Sequence, residues 1–321
     1  GQKLWKRAKN IIPGGTMLFS KNPDLFLPDK WPAYFSKTKG CRIWDMENTA
    51  YDDLSSMGVG TNILGYNYPS VERKVIENVK KGTMSSLNSV EEILLAEKLI
   101  SLHPWAEMVR FTRSGGEANA VAIRISRAAT GKDKVAICGY HGWHDWYLSN
   151  NIQDKDNLNK HLMKDTPIKG VPKNLKNTVF SFEYNNFEEL KKIISQHDIG
   201  TIKMEVKRNT EPKNNFLQKI RKLANDKNIV LIFDECTSGF RQTFGGLHKY
   251  YGVNPDVAIF GKALGNGYAI NSIIGKRSIM EACNSSFISS TFWTERIGPT
   301  AALETLSSME KIKSWELISN I

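Results

Sequence analysis

Residues 230–267, VLIFDECTSGFRQTFGGLHKYYGVNPDVAIFGKALGNG, constrain the fold more than any other stretch. Two short apolar runs fall here, at residues 229–233 and 257–260, and turn signals bound each of them. Such runs are typical of fully buried strands in a parallel sheet. The first run ends in Asp234 and the second is followed closely by Lys262. Because ligands bind at the carboxyl ends of strands in open α/β sheets, we expect Asp234 and Lys262 to face one ligand.

A lysine and an aspartate in such positions have a specific chemical use. A partly desolvated lysine loses its proton and attacks a carbonyl carbon to form a Schiff base. A neighbouring aspartate holds a proton on a heterocyclic nitrogen. Both groups are what pyridoxal phosphate (PLP) requires of a protein. The alternative is that Asp234 caps a helix and Lys262 is a solvated surface lysine.

The composition is that of a globular protein with an excess of basic residues, with a net charge of +11. These residues are spread through Lys- and Asn-rich segments, so a compositional bias or an anionic ligand explains them better than a nucleic-acid surface. We expect no signal peptide, and no apolar run approaches the roughly 20 residues of a membrane span. Four widely spaced cysteines without a C-x-x-C pair favour reduced thiols and a cytoplasmic protein.

Alternating strand and helix patterns begin at residue 108. Strands are predicted at residues 108–112, 134–138, 178–182, 201–205, 229–233 and 257–260, and helices at 117–129, 186–195 and 214–227. This alternation predicts an α/β fold with a mostly parallel sheet and right-handed crossovers. After Lys262, residues 269–275 predict a strand that turns back, and residues 297–312 predict a helix. Residues 155–177 are polar and predict a loop.

The earlier part of the chain is more mixed. It predicts, in order, a helix at residues 4–12, an irregular segment at 16–39, a β-hairpin at 40–54, and helices at 69–81 and 91–102. Ser89 and Glu92 have the spacing of a capping box. The chain stops at Ile321 in a helical-looking segment without a closing strand, so we expect the native polypeptide to continue.

Other polar residues follow the predicted strands at the same edge of the sheet. Ser114, Gly115 and Gly116 open a helix, where small residues let backbone N–H groups reach a phosphate. Glycine-rich strand–helix turns are common, so this signal alone is weak. Glu205 ends another strand, with turn capping as its alternative role. Thr291 precedes the helix at 297–312, and its hydroxyl either caps that helix or donates to a phosphate.

The segment GYHGWHD supplies an aromatic ring and two histidines. Tyr140 is placed to stack on a flat cofactor ring. His141 and His144 are three residues apart, which raises the possibility of a metal site. No cysteine or carboxylate pair completes a ligand set, so we expect no metal and a structural role for this turn.

Together these motifs resemble the class III aminotransferases of PLP fold type I, and most of all the glutamate-1-semialdehyde aminomutase branch. The resemblance covers nearly the whole chain and rests on RAKNIIPGG, GCRIWDMENTAYDDL, GYNYP, VRFTRSGGEANAVAIRISRAATGKDKVA, GYHGWHD, LIFDECTSGFR, YYGVNPDVAIFGKALGNGY and SSTFWTERIGPTAAL. It implies a large three-layer PLP-binding domain at residues 61–296. Residues 1–60 would belong to a small α+β domain and a substrate loop, and residues 297–321 would start a linking helix toward a missing C-terminal segment. Family members are homodimers or larger.

The resemblance also implies a role for each site residue. Lys262 would form the Schiff base and shuttle protons, and Asp234 would pair with the ring nitrogen. Glu205 would lie near the ring hydroxyl. The remaining contacts to the cofactor would come from Ser114, Gly115 and Gly116 at the phosphate, Tyr140 on one ring face, His141 in the same turn, Cys236 on the other face, and Thr291 reaching the phosphate of the neighbouring subunit.

The chain departs from the family pattern at three places. Val206 follows Glu205 where the family usually has proline. Residues 14–21 lack the arginine with which the aminomutase binds its substrate carboxylate, and residues 31–34 also differ from the aminomutase pattern. We therefore expect a PLP-dependent aminotransferase that acts on an amine donor and a keto or aldehyde acceptor. The alternatives are an intramolecular aminomutase and a non-catalytic phosphate- or nucleotide-binding α/β module.

Overall fold

The computed structural model describes residues 1–161 and 164–320. Residues 162 and 163 of the predicted polar loop, and Ile321 at the chain end, lie outside it. Two sheets contain the strands of the described residues: β1 Phe35–Lys39, β2 Arg42–Asp45, β3 Ala50–Asp52, β4 Met108–Thr112, β5 Lys134–Cys138, β6 Val179–Ser181, β7 Ile199–Glu205, β8 Val230–Glu235, β9 Val257–Phe260 and β10 Asn271–Gly275. All six strands predicted from residue 108 onward, and the strand that turns back, are therefore confirmed.

The helices of the described residues follow the predicted alternation. They are α1 Gln2–Ile11, α2 Met57–Gly60, α3 Pro69–Val79, α4 Val90–Leu102, α5 Gly115–Thr130, α6 Asp145–Leu148, α7 Phe187–Gln196, α8 Phe216–Asp226, α9 Arg277–Met280, α10 Ile297–Ile312 and α11 Ser314–Ser319. Of these, α2 is a single irregular turn with left-handed backbone at Gly58 and Val59. Short 3-10 helices fill other connections, and two of them, Lys262–Gly265 and Thr291–Thr294, begin at predicted site residues.

The large sheet has the strand order β4-β10-β9-β8-β7-β5-β6. The pairs β9–β8, β8–β7, β7–β5 and β5–β6 are parallel, whereas β10 is antiparallel to both β9 and β4. All strands except β10 therefore point their carboxyl ends to one edge. That edge receives the residues that follow β4, β5, β7, β8 and β9, which include most of the predicted site.

Helices cover both faces of this sheet, as the α/β pattern predicts. On one face, α5 packs against a core that includes Ile137, Ile232 and Ile259. On the other face, α7 and α8 pack over the β5–β8 side. Beside them α4 and α10 cover β9 and β10. The result is a three-layer structure with alternate residues of each central strand buried on opposite faces.

The small sheet forms the predicted hairpin and adds a third strand. Strands β2 and β3 pair antiparallel, and the Asp45 carboxylate accepts hydrogen bonds from the backbone N–H groups of Glu47 and Thr49, which fixes the turn. Strand β1 pairs with β2 in a segment predicted to be irregular, so that prediction was wrong at its C-terminal end. The division of the chain at residues 60 and 296 stays a prediction.

All four cysteines are unpaired. In the part of the chain that the structure describes, no helix is long and apolar enough to cross a membrane.

Candidate active site

Asp234 lies at the centre of the site, on β8, and only 4% of it is exposed. It is the register partner of Glu205 on β7, so both carboxylates lie on the same face of the sheet. The His141 Nδ1 lies 2.9 Å from Asp234 Oδ2, and the Cys236 backbone N–H donates to Asp234 Oδ1 at 3.1 Å. Lys203 on β7 also approaches this carboxylate, with its Nζ 3.7 Å from Asp234 Oδ2. The structure thus brings together Asp234, His141 and Cys236 as predicted, and adds Lys203.

The charges of this cluster follow from its burial. Burial alone would raise the pKa of Asp234, but the Lys203 ammonium and the His141 ring hold that pKa well below its ordinary value. Burial lowers the pKa of His141, so the ring is neutral and donates its Nδ1 proton to the carboxylate. Asp234 is therefore an ionised, fixed acceptor in a dry environment.

Lys262 follows β9, one strand away from Asp234, and has a left-handed backbone with φ 43°. Left-handed backbone at a residue other than glycine is strained and tends to occur at functional sites. The side chain is half-buried, and its Nζ donates to the Thr237 Oγ1 at 3.1 Å. Burial lowers the pKa of Lys262, which favours the neutral, nucleophilic amine. The alternative of a freely solvated surface lysine is wrong.

The turn before helix α5 forms a cradle for an anion. Ser114 Oγ accepts the Glu117 N–H at 3.4 Å, and the Glu117 carboxylate accepts the Ser114 N–H at 2.9 Å, which makes a reciprocal capping box. The first intrahelical bond runs from Ala118 to Ser114. The N–H groups of Gly115 and Gly116 precede that bond, so the helix itself leaves them unused. A Cβ at Gly116 would lie 3.0 Å from the His144 ring, so a larger residue here would require that ring to shift.

Glu205 ends β7 and is already paired. Its carboxylate accepts the Tyr140 N–H at 3.1 Å and two-pronged hydrogen bonds from Arg208, one of them at 2.6 Å. The Arg208 guanidinium lies 6.0 Å from the centre of the Tyr140 ring. Tyr140 is half-buried, and burial raises the pKa of its hydroxyl. Glu205 thus orients the turn that carries Tyr140, a role beyond the one expected from the sequence.

Thr291 is a predicted site residue for which the described part of one chain shows no hydrogen bond to this cluster. It is exposed at the start of its 3-10 helix, and its carbonyl accepts a hydrogen bond from Thr294. The same segment is anchored to the α5 turn, because Arg113 donates to the carbonyls of Trp293 and Glu295 at 2.8 and 2.7 Å. Its predicted contact with a neighbouring subunit stays a prediction.

A cavity of about 780 Å³ lies beside Thr237, the partner of Lys262. Its lining includes the cationic side chains Lys160, Lys207, Arg208 and Arg241. Arg241 Nε donates to the Thr237 carbonyl at 2.6 Å, and its Nη2 donates to the Gly60 carbonyl. Sequence reasoning missed Lys203, Arg208 and Arg241, although each is a cation close in sequence to Glu205 or Asp234.

The comparison with known proteins agrees with this geometry. The model of the class III aminotransferases matches residues 28–321. This chain belongs to that family. Its cofactor is PLP, and it is a PLP-dependent transaminase.

The relatives and solved structures that match this chain are named for two kinds of activity, amino-group transfer and an aminomutase reaction. The 3-aminobutyryl-CoA aminotransferase of Cloacimonas acidaminovorans is 34% identical over 98% of this chain and 74% of its own length. The glutamate-1-semialdehyde 2,1-aminomutase of Methanobrevibacter smithii is 35% identical over 96% of this chain and 72% of its own length. An omega-transaminase from Sphaerobacter thermophilus superposes with a TM-score of 0.84 at 25% identity, covering 96% of this chain and 72% of that one. The predicted fold type and family are confirmed.

The residues of this class III aminotransferase fit PLP. Asp234 is a buried anion with an acceptor position left for a ring N–H, and the unused N–H groups of Gly115 and Gly116 suit a phosphate. The position for the ring and the position for the phosphate are close together, because a Cβ at Gly115 would lie 3.6 Å from the Cys236 Sγ. Burial raises the pKa of the Cys236 thiol, which therefore stays neutral and is suited to apolar contact with a ring.

Proposed function

We propose that Lys262 is the residue that binds the cofactor covalently and moves protons during amino-group transfer. The observation that carries this proposal is the position of a half-buried, strained lysine one strand away from the ionised Asp234. When bound, PLP supplies the electron sink that stabilises the carbanion of the amine donor. Lys262 would hold and release a proton at Nζ, since its lowered pKa brings that atom closer to neutrality.

The other predicted residues would position the cofactor. Asp234 would accept the ring N–H, and the α5 turn at Ser114, Gly115 and Gly116 would bind the phosphate. The ring would lie between two side chains, Tyr140 and Cys236. His141 would fix the Asp234 carboxylate through its Nδ1 proton, and Glu205 would fix the turn of Tyr140.

Borohydride reduction followed by peptide mapping tests the role of Lys262. We expect the cofactor to be fixed on the peptide that carries Lys262, and we expect Lys262→Ala to lower kcat by about 10²- to 10⁴-fold. Lys222→Ala, which removes an exposed lysine on α8, is the matched control and should retain wild-type turnover. Fixation on Lys203, or near wild-type turnover of Lys262→Ala, would contradict the assignment.

Transamination between two substrates is favoured over an intramolecular mutase reaction. The support is the absence of arginine from residues 14–21 and the aminotransferase among the relatives. The distinguishing measurement is a single-turnover assay with an amine donor alone. A transaminase releases the keto product and stops until an acceptor is added, whereas a mutase completes its turnover without one.

We further propose that the substrate carries an anionic group that binds Arg241. Both Arg241 and Lys262 donate to Thr237, so the guanidinium and the amine lie around one residue. Among the described residues, no carboxylate forms an ion pair with Arg241, whereas the other three cations of the cavity wall are paired: Arg208 with Glu205, Lys207 with Glu211 and Lys160 with Glu183. Arg241 is therefore the cation of the cavity wall that is available to a carboxylate or phosphate of the substrate.

Substitution of Arg241 tests this substrate class. We expect Arg241→Met to raise the KM of an amino-acid donor about 10- to 100-fold, because a hydrogen bond to a charged group contributes about 1.5–3 kcal/mol. The KM of the matching amine without the carboxylate should change little, and Arg241→Lys should be intermediate. An equal rise in KM for both donors would instead indicate that Arg241 only holds the Gly60 turn.

The proposed assembly is a homodimer in which Thr291 serves the partner's phosphate site. Its support is the exposure of Thr291 on a segment anchored to the α5 turn. A cytoplasmic location stays a prediction, with the unpaired cysteines as its support.

A further inference from the structure

Lys203 is a charged residue in the interior of the central strand β7. It is completely buried. Its side chain lies on the same face of β7 as those of Thr201 and Glu205, which is the face of the sheet that carries Asp234. Its register partners on either side, Ile137 and Ile232, are apolar. Burying an ammonium in such surroundings is costly, because burial lowers the pKa of the Lys203 amine; the Asp234 carboxylate opposes that shift and favours the charged form. An apolar residue would fill this position without that cost, so the lysine calls for a reason beyond packing.

The surroundings of the Asp234 carboxylate supply that reason. An ionised carboxylate has about four acceptor positions. His141 and Lys203 approach Oδ2 at 2.9 and 3.7 Å, and the Cys236 N–H occupies one position of Oδ1. Among the described residues, the Lys203 Nζ has no hydrogen-bond partner at normal distance, so charge attraction to Asp234 is its main interaction. One acceptor position of Asp234 remains for a ring N–H.

We propose that Lys203 is a positioning residue that weakens the hold of Asp234 on the ring nitrogen of the cofactor. This inference rests on the proposed placement of PLP. A positive charge beside the carboxylate makes it a weaker base and repels a second positive charge, that of a protonated ring nitrogen. Lys203 and the ring nitrogen therefore compete for one anion. The lowered pKa of Asp234 has the sign that this competition requires.

The consequence is that Lys203 influences how strongly the cofactor ring withdraws electrons. A ring nitrogen that Asp234 holds strongly would stay fully protonated and withdraw the most electron density. With Lys203 in place, protonation of the ring nitrogen is less favourable, so the ring withdraws less electron density. The residue acts through Asp234 and touches neither the substrate nor the reacting atoms.

A competition between PLP and its 1-deaza analogue tests the proposal. The analogue has a C–H in place of the ring nitrogen, so Asp234 gives it no hydrogen bond. The purified protein is equilibrated with equal concentrations of both, reduced with borohydride, and the two adducts of the Lys262 peptide are quantified by mass spectrometry. We expect Lys203→Met to raise the preference for PLP over the analogue by about tenfold or more.

Two variants control for packing. Lys203→Arg keeps the charge and should keep the wild-type preference. Thr201→Val changes a buried side chain on the same face of β7 that bonds to Ser126 at 2.5 Å, and it should also keep that preference. If Lys203→Met does not fold, Lys203→Gln removes the charge but keeps a polar tip, and the same tenfold rise is expected.

The outcomes separate this inference from the proposed function. An equal loss of both adducts with an unchanged ratio in the Met or Gln variant would mean that Lys203 only supports the strand, and would overturn the inference. A wild-type protein that fixes neither compound on Lys262 would overturn the proposed function itself.

Discussion

At the scale of single residues, Gly261 determines how closely β10 approaches the lysine. A Cβ at this position would overlap the side-chain amide of Asn271 on β10. The Asn271 Nδ2 in turn donates to the Cys236 Sγ at 3.4 Å. The backbone of Gly261 is extended, with φ −164°, so the close approach and not the torsion angle requires glycine here. Gly261 thereby links the positions of Lys262 and Cys236.

Replacing Gly261 by alanine should therefore disturb both stability and the site. We expect Gly261→Ala to lower the free energy of unfolding by about 1–3 kcal/mol, the usual cost of an added methyl group in a packed interior. Urea unfolding measures this change. In an Asn271→Ala background the clash is absent, so the same substitution should cost much less. Equal costs in both backgrounds would mean that the two residues do not interact.

Lys203 shows what the sequence could and could not reveal at this scale. Asp234 and Lys262 were predictable because each follows an apolar run, and strand ends are where polar groups meet a ligand. Lys203 lies inside an apolar run, where the sequence indicates only a buried strand. The available signal was its spacing of two residues from Glu205, which places both side chains on one face of β7. Its distance from Asp234 depends on the strand order, which the sequence does not state.

At the scale of elements, the start of α5 combines a helix cap with an anion site. The Ser114 hydroxyl accepts the Glu117 N–H, so its own proton remains able to donate. Ser89 was predicted to be the serine of a capping box, but no cap bond forms there, and its hydroxyl lies 3.4 Å from the Glu92 carboxylate instead. That prediction was wrong because the spacing of serine and glutamate does not fix the torsion angles that aim the side chains at the backbone.

The two serines give a matched pair of substitutions. We expect Ser114→Ala to destabilise the protein by about 1 kcal/mol, the usual cost of losing a cap, and also to weaken binding of PLP. Ser89→Ala should change the free energy of unfolding by only a few tenths of a kcal/mol and leave PLP binding unchanged. Urea unfolding with and without PLP measures both effects. Equal destabilisation by the two substitutions would contradict the cap assignment.

The elements of the large sheet were predictable for a simple reason. Its central strands are buried on both faces, so each is a nearly continuous apolar run bounded by turn signals. Strand β1 lacks that signal, since four of its five residues are exposed, and it forms only because β2 offers an open edge. The irregular turn α2 was not predicted, because it is a single turn with left-handed torsion angles at Gly58 and Val59, which no periodic apolar pattern indicates.

At the scale of the whole molecule, several large apolar side chains remain on the surface of the single chain. Met17, Leu87 and Phe292 are each at least two-thirds exposed, and Phe292 adjoins Thr291. An exposed aromatic ring beside a predicted site residue suits an interface with another protein. Closed twofold dimers are the commonest assembly, which suits a residue that serves the partner's site.

Mixing two inactive variants tests this arrangement directly. If Thr291 binds the phosphate of the partner subunit, Thr291→Val leaves its own subunit's Lys262 intact but damages the neighbouring site. A mixed dimer of Thr291→Val and Lys262→Ala then contains one site with both an intact Lys262 and an intact Thr291. Random exchange puts half of the dimers in the mixed form, so activity should recover to about a quarter of the wild-type value. If Thr291 instead serves its own subunit, every site in the mixed dimer lacks one of the two residues, and mixing restores nothing.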